Sequence, residues 1–234
     1  MSVISQNLQA VRQRITDAAD SAQRDVHGID LLAVSKTFDA GAVIAAAEAG
    51  QAAFGENYLQ EALDKINTIR AERPDLALEW HFIGPIQSNK TRPIAEHFDW
   101  VHSVDREKIA QRLSEQRPAE LAPLNICLQV NISGEASKSG VLPVDALAVA
   151  KAISALPRLR LRGLMAIPEA EGDEAQQRAP FRQLHALFDQ LRAAGLQLDT
   201  LSMGMSADMT AAIAEGATIV RIGSAIFGTR EYAK

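Results

Sequence analysis

The sequence holds a single cysteine, Cys127, so no internal disulfide can form, and the apolar run around it marks it as a small buried hydrophobe. It lacks a surplus of Lys and Arg. The net charge is −5, which argues against nucleic acid as the main partner, because neutralising phosphates takes concentrated positive charge. No apolar run approaches membrane-spanning length, and Met1-Ser2-Val3-Ile4-Ser5-Gln6-Asn7 contains no signal-peptide core. These absences fit a cytoplasmic protein with no membrane partner. The histidines His27, His81, His97, His102 and His185 show no ligand spacing such as HxxxH and have no second thiol to join them, so no metal site is expected. There is no Walker A motif, no GxGxxG, no linker, no low-complexity tract and no internal repeat. What is present is 47% hydrophobic residues over 234 positions, enough for a sizeable core at a length that suits one α/β barrel domain spanning 1–234.

Leu8, Val11, Ile15, Ala18 and Ala22 recur at helical spacing, so the chain opens with an amphipathic helix that could cover one end of a barrel. Strand and helix patterns then alternate. Apolar runs of strand length begin at Ile29, Ala52, Glu79, Asp99, Leu124, Leu159, Thr200 and Thr218. Helical patterns separate them, with Gly50 and Gly195 as C-terminal stops, Ser88 and Asp105 as N-terminal caps, and Pro93 awkwardly late for a first turn. The polar stretch Glu169 to Gln177 reads as a surface loop. Strict alternation implies a parallel sheet with right-handed crossovers, and eight units imply a closed (β/α)8 TIM barrel with an additional N-terminal helix. A doubly wound open sheet is the alternative, but it rarely needs eight units.

In such a barrel the strand ends share one rim, where ligands bind. Strand one delivers Lys36, strand two Asn57, strand three His81 and Gln87, strand five Asn131, strand six Met165, strand seven Ser202 and Ser206, and strand eight Arg221, Gly223 and Ser224. A partly desolvated strand-end lysine has a lowered pKa and a free amine for Schiff-base chemistry; the plainer reading is a lysine that ends a strand in water. Ser206 and Ser224 follow glycine-containing turns toward helix starts, where N–H groups and hydroxyls can bind phosphate; the plainer reading is that they cap those helices. Together, opposite Lys36, they point to a phosphate-bearing aldehyde such as pyridoxal phosphate (PLP). Arg221 would then face the pyridine nitrogen as an obligate donor, favouring the unprotonated ring and disfavouring chemistry that needs a strong electron sink. A salt-bridging arginine is the alternative.

The blocks Leu32-Ala33-Val34-Ser35-Lys36, Phe54-Gly55-Glu56-Asn57-Tyr58, Trp80 through Lys90, Gly163 through Pro168, Ser202 through Met209 and Val220 through Gly228 together resemble the pyridoxal phosphate homeostasis protein family over nearly the whole chain. The resemblance implies a barrel like the N-terminal domain of alanine racemase, with PLP bound to Lys36 as a Schiff base. It implies phosphate contacts from Ser206, Gly223 and Ser224, and Arg221 near the ring nitrogen. It further implies a protein that stores, buffers or hands over PLP, with PLP-dependent apo-enzymes as recipients and without established turnover.

Two other functions compete. A PLP-dependent amino-acid racemase needs a second acid/base opposite the lysine. Racemases take it as a tyrosine from a separate C-terminal domain across a dimer, whereas here only Thr229 to Lys234 follow the last barrel turn, and the tyrosines are Tyr58 and Tyr232. The expectation is therefore a monomeric binding protein. An aldolase-like barrel without PLP is weakened by the position of Lys36 on strand one. Lys138, in the loop after strand five, could offer a second amine for handover; a solvated loop lysine is the plainer reading.

Overall fold

The computed structural model describes residues 2–135, 138–168 and 173–228. Eight strands pair in parallel in the order β1 to β8 and close on themselves: β1 (Asp30–Val34), β2 (Ala53–Glu56), β3 (Glu79–Phe82), β4 (Trp100–Val104), β5 (Leu124–Gln129), β6 (Leu159–Met165), β7 (Thr200–Ser202) and β8 (Ile219–Ile222). The closing register sets Leu31 opposite Val220 and Leu32 opposite Arg221. The fold is a (β/α)8 barrel. Its strands are buried on both faces, which is why they read as continuous apolar runs rather than as alternation.

The outer layer comprises α1 (Val3–Ser21), α2 (Ala40–Glu48), α3 (Leu59–Glu72), α4 (Thr91–His97), α5 (Glu107–Gln116), α6 (Ala146–Ser154), α7 (Glu174–Ala193), α8 (Met209–Ala214) and the single turn α9 (Ser224–Phe227). Helix α1 buries Leu8, Val11, Ile15, Ala18 and Ala19 and packs beside α2, α8 and α9. It therefore belongs to the outer ring, and Arg12, Ile15 and Thr16 border the cavity at the N-terminal end of the barrel. Polar side chains of α1, and Arg24 just beyond it, tie down the far end of the chain. Asn7 donates to Ile226 O at 2.9 Å, Arg14 to Ser206 O at 3.3 Å, and Arg24 to Ile213 O and Ala217 O.

Several local expectations need correction. Asp105 does not cap α5: Arg106 occupies that position without a capping side chain, and Asp105 instead accepts from Arg106. Ser88 opens a 3-10 turn, Ser88–Lys90, and α4 starts at Thr91, so Pro93 lies in a first turn where its missing N–H costs nothing. Glu174 to Gln177 are already helical, because Asp173 and Gln176 form a capping box; residues 169–172 lie outside the described residues. The tail with Tyr232 also lies outside them. Cys127 is fully buried as expected, and burial pushes its thiol up to about 12.

Glu215, buried at the end of α8, ties α8 to α7. It accepts from Arg178 at 2.7 Å and Arg182 at 2.9 Å. Burial pushes its carboxyl up, but the two arginines prevail and hold it below its ordinary 4.5. A depressed folded value means stability that is present above pH 4.5 and lost as pH falls through the lower folded value. Glu215→Gln should therefore lower stability at neutral pH by about 1 kcal/mol, kept small because the arginines are solvent-screened. It should also shrink the loss on acidification. Thermal melts of both proteins from neutral pH to pH ~3 check this.

Candidate functional site

The strand C-termini open into a cavity of about 1070 Å³, large enough for a cofactor-sized ligand. Lys36, Asn57, Ser206, Arg221, Gly223 and Ser224 all line it. Ser202 does not: it is fully buried one layer below, against Arg221. The structure also corrects three rim assignments. His81 and Met165 are buried inside the barrel, His81 stacked on Trp100 and Met165 packed with Leu32, Cys127 and Ile219. Gln87 is exposed and lies off the cavity.

The half-buried Lys36 leaves β1 between two clamped neighbours. Ser35 bonds the Glu56 carboxylate through its hydroxyl at 2.6 Å, and its carbonyl accepts from Lys65 at 2.9 Å. Thr37 takes a left-handed backbone, φ 71°, and its N–H donates to Glu61 at 2.6 Å. Lys65 joins the clamp by contacting both Glu56 and Glu61, at 2.6 and 3.2 Å. These supports were not recognised in the sequence. A signal existed: Lys65 shares the buried stripe of α3 with Ala62, Ile66 and Ile69.

On the opposite wall, neither serine caps a helix. Asp208 and Gly223 hold the N-cap positions of α8 and α9, and Ser224 is the first residue of α9. The hydroxyls are therefore not explained by capping. Gly223 brings its backbone against β1, where an added Cβ would lie 3.1 Å from Val34 O, so the wall is built for backbone approach. Gly84 is required for a related reason: a Cβ there would come within 2.2 Å of Asn57 O and displace the Asn57 backbone.

Arg221 forms part of the floor. Its guanidinium donates to Ser202 Oγ at 2.9 Å and Ala166 O at 3.0 Å. Burial pulls it down to about 10, against Asp208 and Cys127, so it stays a cation at neutral pH. No carboxylate pairs with it among the described residues, which removes the salt-bridge reading and leaves further N–H donors for the cavity. Among the described residues, the charged lining is Lys36, Arg106, Lys138 and Arg221 against one acid, Asp105. Lys138 Nζ sits 3.1 Å from Glu135; positions 136 and 137 beside it are outside the described residues. A cationic mouth with apolar walls from Val34, Ile83 and Ile132 suits a flat ring carrying a phosphate. No tyrosine or histidine lines it among the described residues, and Tyr58 is exposed at the start of α3.

Fold and site together define a class. The model of the alanine racemase N-terminal domain matches residues 6–231. A solved alanine racemase from Corynebacterium glutamicum superposes with a TM-score of 0.68 over 99% of this chain and 62% of its own, at 19% identity, a likeness of fold alone. Within that class the relatives are more particular. The pyridoxal phosphate homeostasis protein of Pseudomonas aeruginosa is 64% identical over 99% of this chain and 98% of its own length. That of Escherichia coli K12 is 54% identical over the full length of both. PipY of Synechococcus elongatus, solved with PLP bound, is 38% identical with a TM-score of 0.81, covering 96% of this chain and all of its own. The chain belongs to the pyridoxal phosphate homeostasis protein family.

Proposed function

We propose that this protein binds PLP through Lys36 and serves its storage, buffering or transfer, not substrate turnover. The observation that carries this reading is the joint presence in one cavity of a clamped strand-end lysine, a cationic floor at Arg221 and the Ser206–Gly223–Ser224 wall. When bound, PLP supplies an aldehyde that forms a Schiff base with a lysine amine, releasing water. Lys36 holds that carbon. Ser206, Gly223 and Ser224 hold the phosphate, Asn57 flanks the ring, and Arg221, braced by Ser202, faces the ring nitrogen. Because Arg221 stays protonated and can only donate, it favours an unprotonated ring, a poor electron sink. This supports holding over catalysis. PLP-dependent apo-enzymes are the proposed recipients. We further propose one domain over 1–234, acting as a cytoplasmic monomer.

Borohydride reduction of the PLP-treated protein, followed by peptide mass mapping, tests the reading. A phosphopyridoxyl group on Lys36 is expected, and its absence there would remove the basis of the proposal. A racemase remains the second reading. Efficient D-alanine formation from L-alanine would establish it, although the cavity offers no tyrosine or histidine among its described lining residues to act as the second base.

A further inference from the structure

A chain of buried polar groups runs through the barrel interior, and the site described above uses only its last members. Arg221 Nη1 donates to Ser202 Oγ at 2.9 Å. Ser202 Oγ lies 2.7 Å from His102 Nδ1. His102 Nε2 lies 2.8 Å from His81 Nδ1. His81 Nε2 lies 2.7 Å from Glu79 Oε1. Ser202 and His102 are fully buried, and His81 is nearly so. Glu79 begins β3, is half-exposed, and lines with His81 a second cavity of about 540 Å³ at the N-terminal end of the barrel. The chain therefore joins one opening of the barrel to the other.

Its direction follows from which atoms can donate. Arginine only donates, so Ser202 must accept from it. An ionised Glu79 only accepts, so His81 must donate from Nε2. His81 Nδ1 is then free to accept from His102 Nε2–H, and His102 Nδ1 to accept the Ser202 hydroxyl proton. In this arrangement each internal group gives one hydrogen bond and receives one, with both imidazoles neutral. Reversal needs an extra proton on His81 and leaves the Ser202 hydroxyl proton without an acceptor in this chain, an unfavourable state in a dry interior. Burial first, and then the nearby Arg221 cation, hold His102 well below its ordinary value, consistent with a neutral ring. The hydrogen bond from His81 lowers the Glu79 carboxyl, consistent with an ionised acceptor.

We propose that Glu79, His81 and His102 are positioning residues that act through Ser202 to fix the donor orientation of Arg221 at the cavity floor. The carboxylate at one end of the barrel thus sets the hydrogen bond offered at the other. Its consequence for PLP rests on the proposed placement of the ring nitrogen against Arg221.

Two readouts test it. In the protein without PLP, nitrogen-15 NMR should show both His81 and His102 as neutral Nε2–H tautomers. Glu79→Leu should turn them into tautomer mixtures, while Glu79→Gln, which keeps an acceptor oxygen, should restore the wild-type pattern. In the PLP-loaded protein, Glu79→Leu should weaken PLP binding about 3- to 10-fold, the size of one lost polar contact, and shift its visible absorption. Lys36 should remain the reduced residue. His102 carrying its proton on Nδ1, or Glu79→Leu leaving tautomers, affinity and absorption unchanged, would overturn the proposal. Failure of the wild type to label at Lys36 would instead sink the proposed function; the NMR measurement would still decide the direction of the chain.

Discussion

Lys65→Met is expected to destabilise the protein by about 3–5 kcal/mol at neutral pH, the usual cost of removing one partner from a buried ion pair. The side chains of Lys65 and Glu56 are 3% and 0% exposed, and their charged atoms lie 2.6 Å apart. Burial already pushes the Glu56 carboxyl up, against the pull of Lys65 and Ser35, and its second oxygen has no hydrogen-bond partner among the described residues. Without Lys65 the carboxyl rises further. A folded value raised above the unfolded one gives stability that is complete below the unfolded value and lost as pH rises through the folded one. The deficit of Lys65→Met should therefore be smaller at pH ~5 than at pH ~8, as Glu56 takes up a proton. Urea denaturation at both pH values measures it. A pH-independent loss below ~1 kcal/mol would show the pair to be energetically idle. Glu56→Leu combined with Lys65→Met should recover much of the loss, because no charge is then left buried. The pair also grips Ser35 through its hydroxyl and its carbonyl, so the single variant should loosen the end of β1 and weaken PLP binding at the next residue.

Lys36→Ala is expected to abolish borohydride-stable labelling and to weaken PLP binding about 100-fold or more, equivalent to ~2.7 kcal/mol. Binding should not vanish, because the wall at Ser206, Gly223 and Ser224 and the cation at Arg221 are built by other strands. The residual ligand should compete with inorganic phosphate and dialyse away. The Ser206→Ala, Ser224→Ala double variant should do the reverse, lowering affinity about 10-fold, or ~1.4 kcal/mol, while Lys36 remains the labelled residue. Equilibrium dialysis with mass mapping separates the two. If Lys36→Ala still forms a reducible adduct in the cavity, Lys36 is not the anchor.

The barrel was legible because a parallel strand buried on both faces leaves a continuous apolar run, and eight such runs alternate with helical spacing. The strand-end residues were legible for the same reason: in a parallel barrel every strand exit reaches one rim. The depth of a side chain was not legible. His81 was placed at the rim, but β3 ends at Phe82 and His81 turns inward, paired with Gly55 and Trp100. An unbroken apolar run hides which residues face the barrel axis, so the same ambiguity concealed His102 and the buried depth of Ser202. Asp105 looked like a cap because aspartate commonly is one, yet the backbone enters α5 one residue later. Lys65 shows a signal the apolar pattern passes over, a charge whose position on the helix falls on the buried stripe.

The clasp between the N-terminal segment, α1 through Arg24, and the last turns of the barrel has a consequence for synthesis. Asn7, Arg14 and Arg24 grip carbonyls at Ile226, Ser206, Ile213 and Ala217. The amine and its clamp leave the ribosome early; the phosphate wall and two partners of α1, the helices α8 and α9, leave last. A nascent chain thus exposes a reactive lysine with nothing opposite it and an N-terminal helix whose apolar stripe is only partly covered. The two walls of the pocket meet only when the ring closes, which places ligand capture after translation rather than during it.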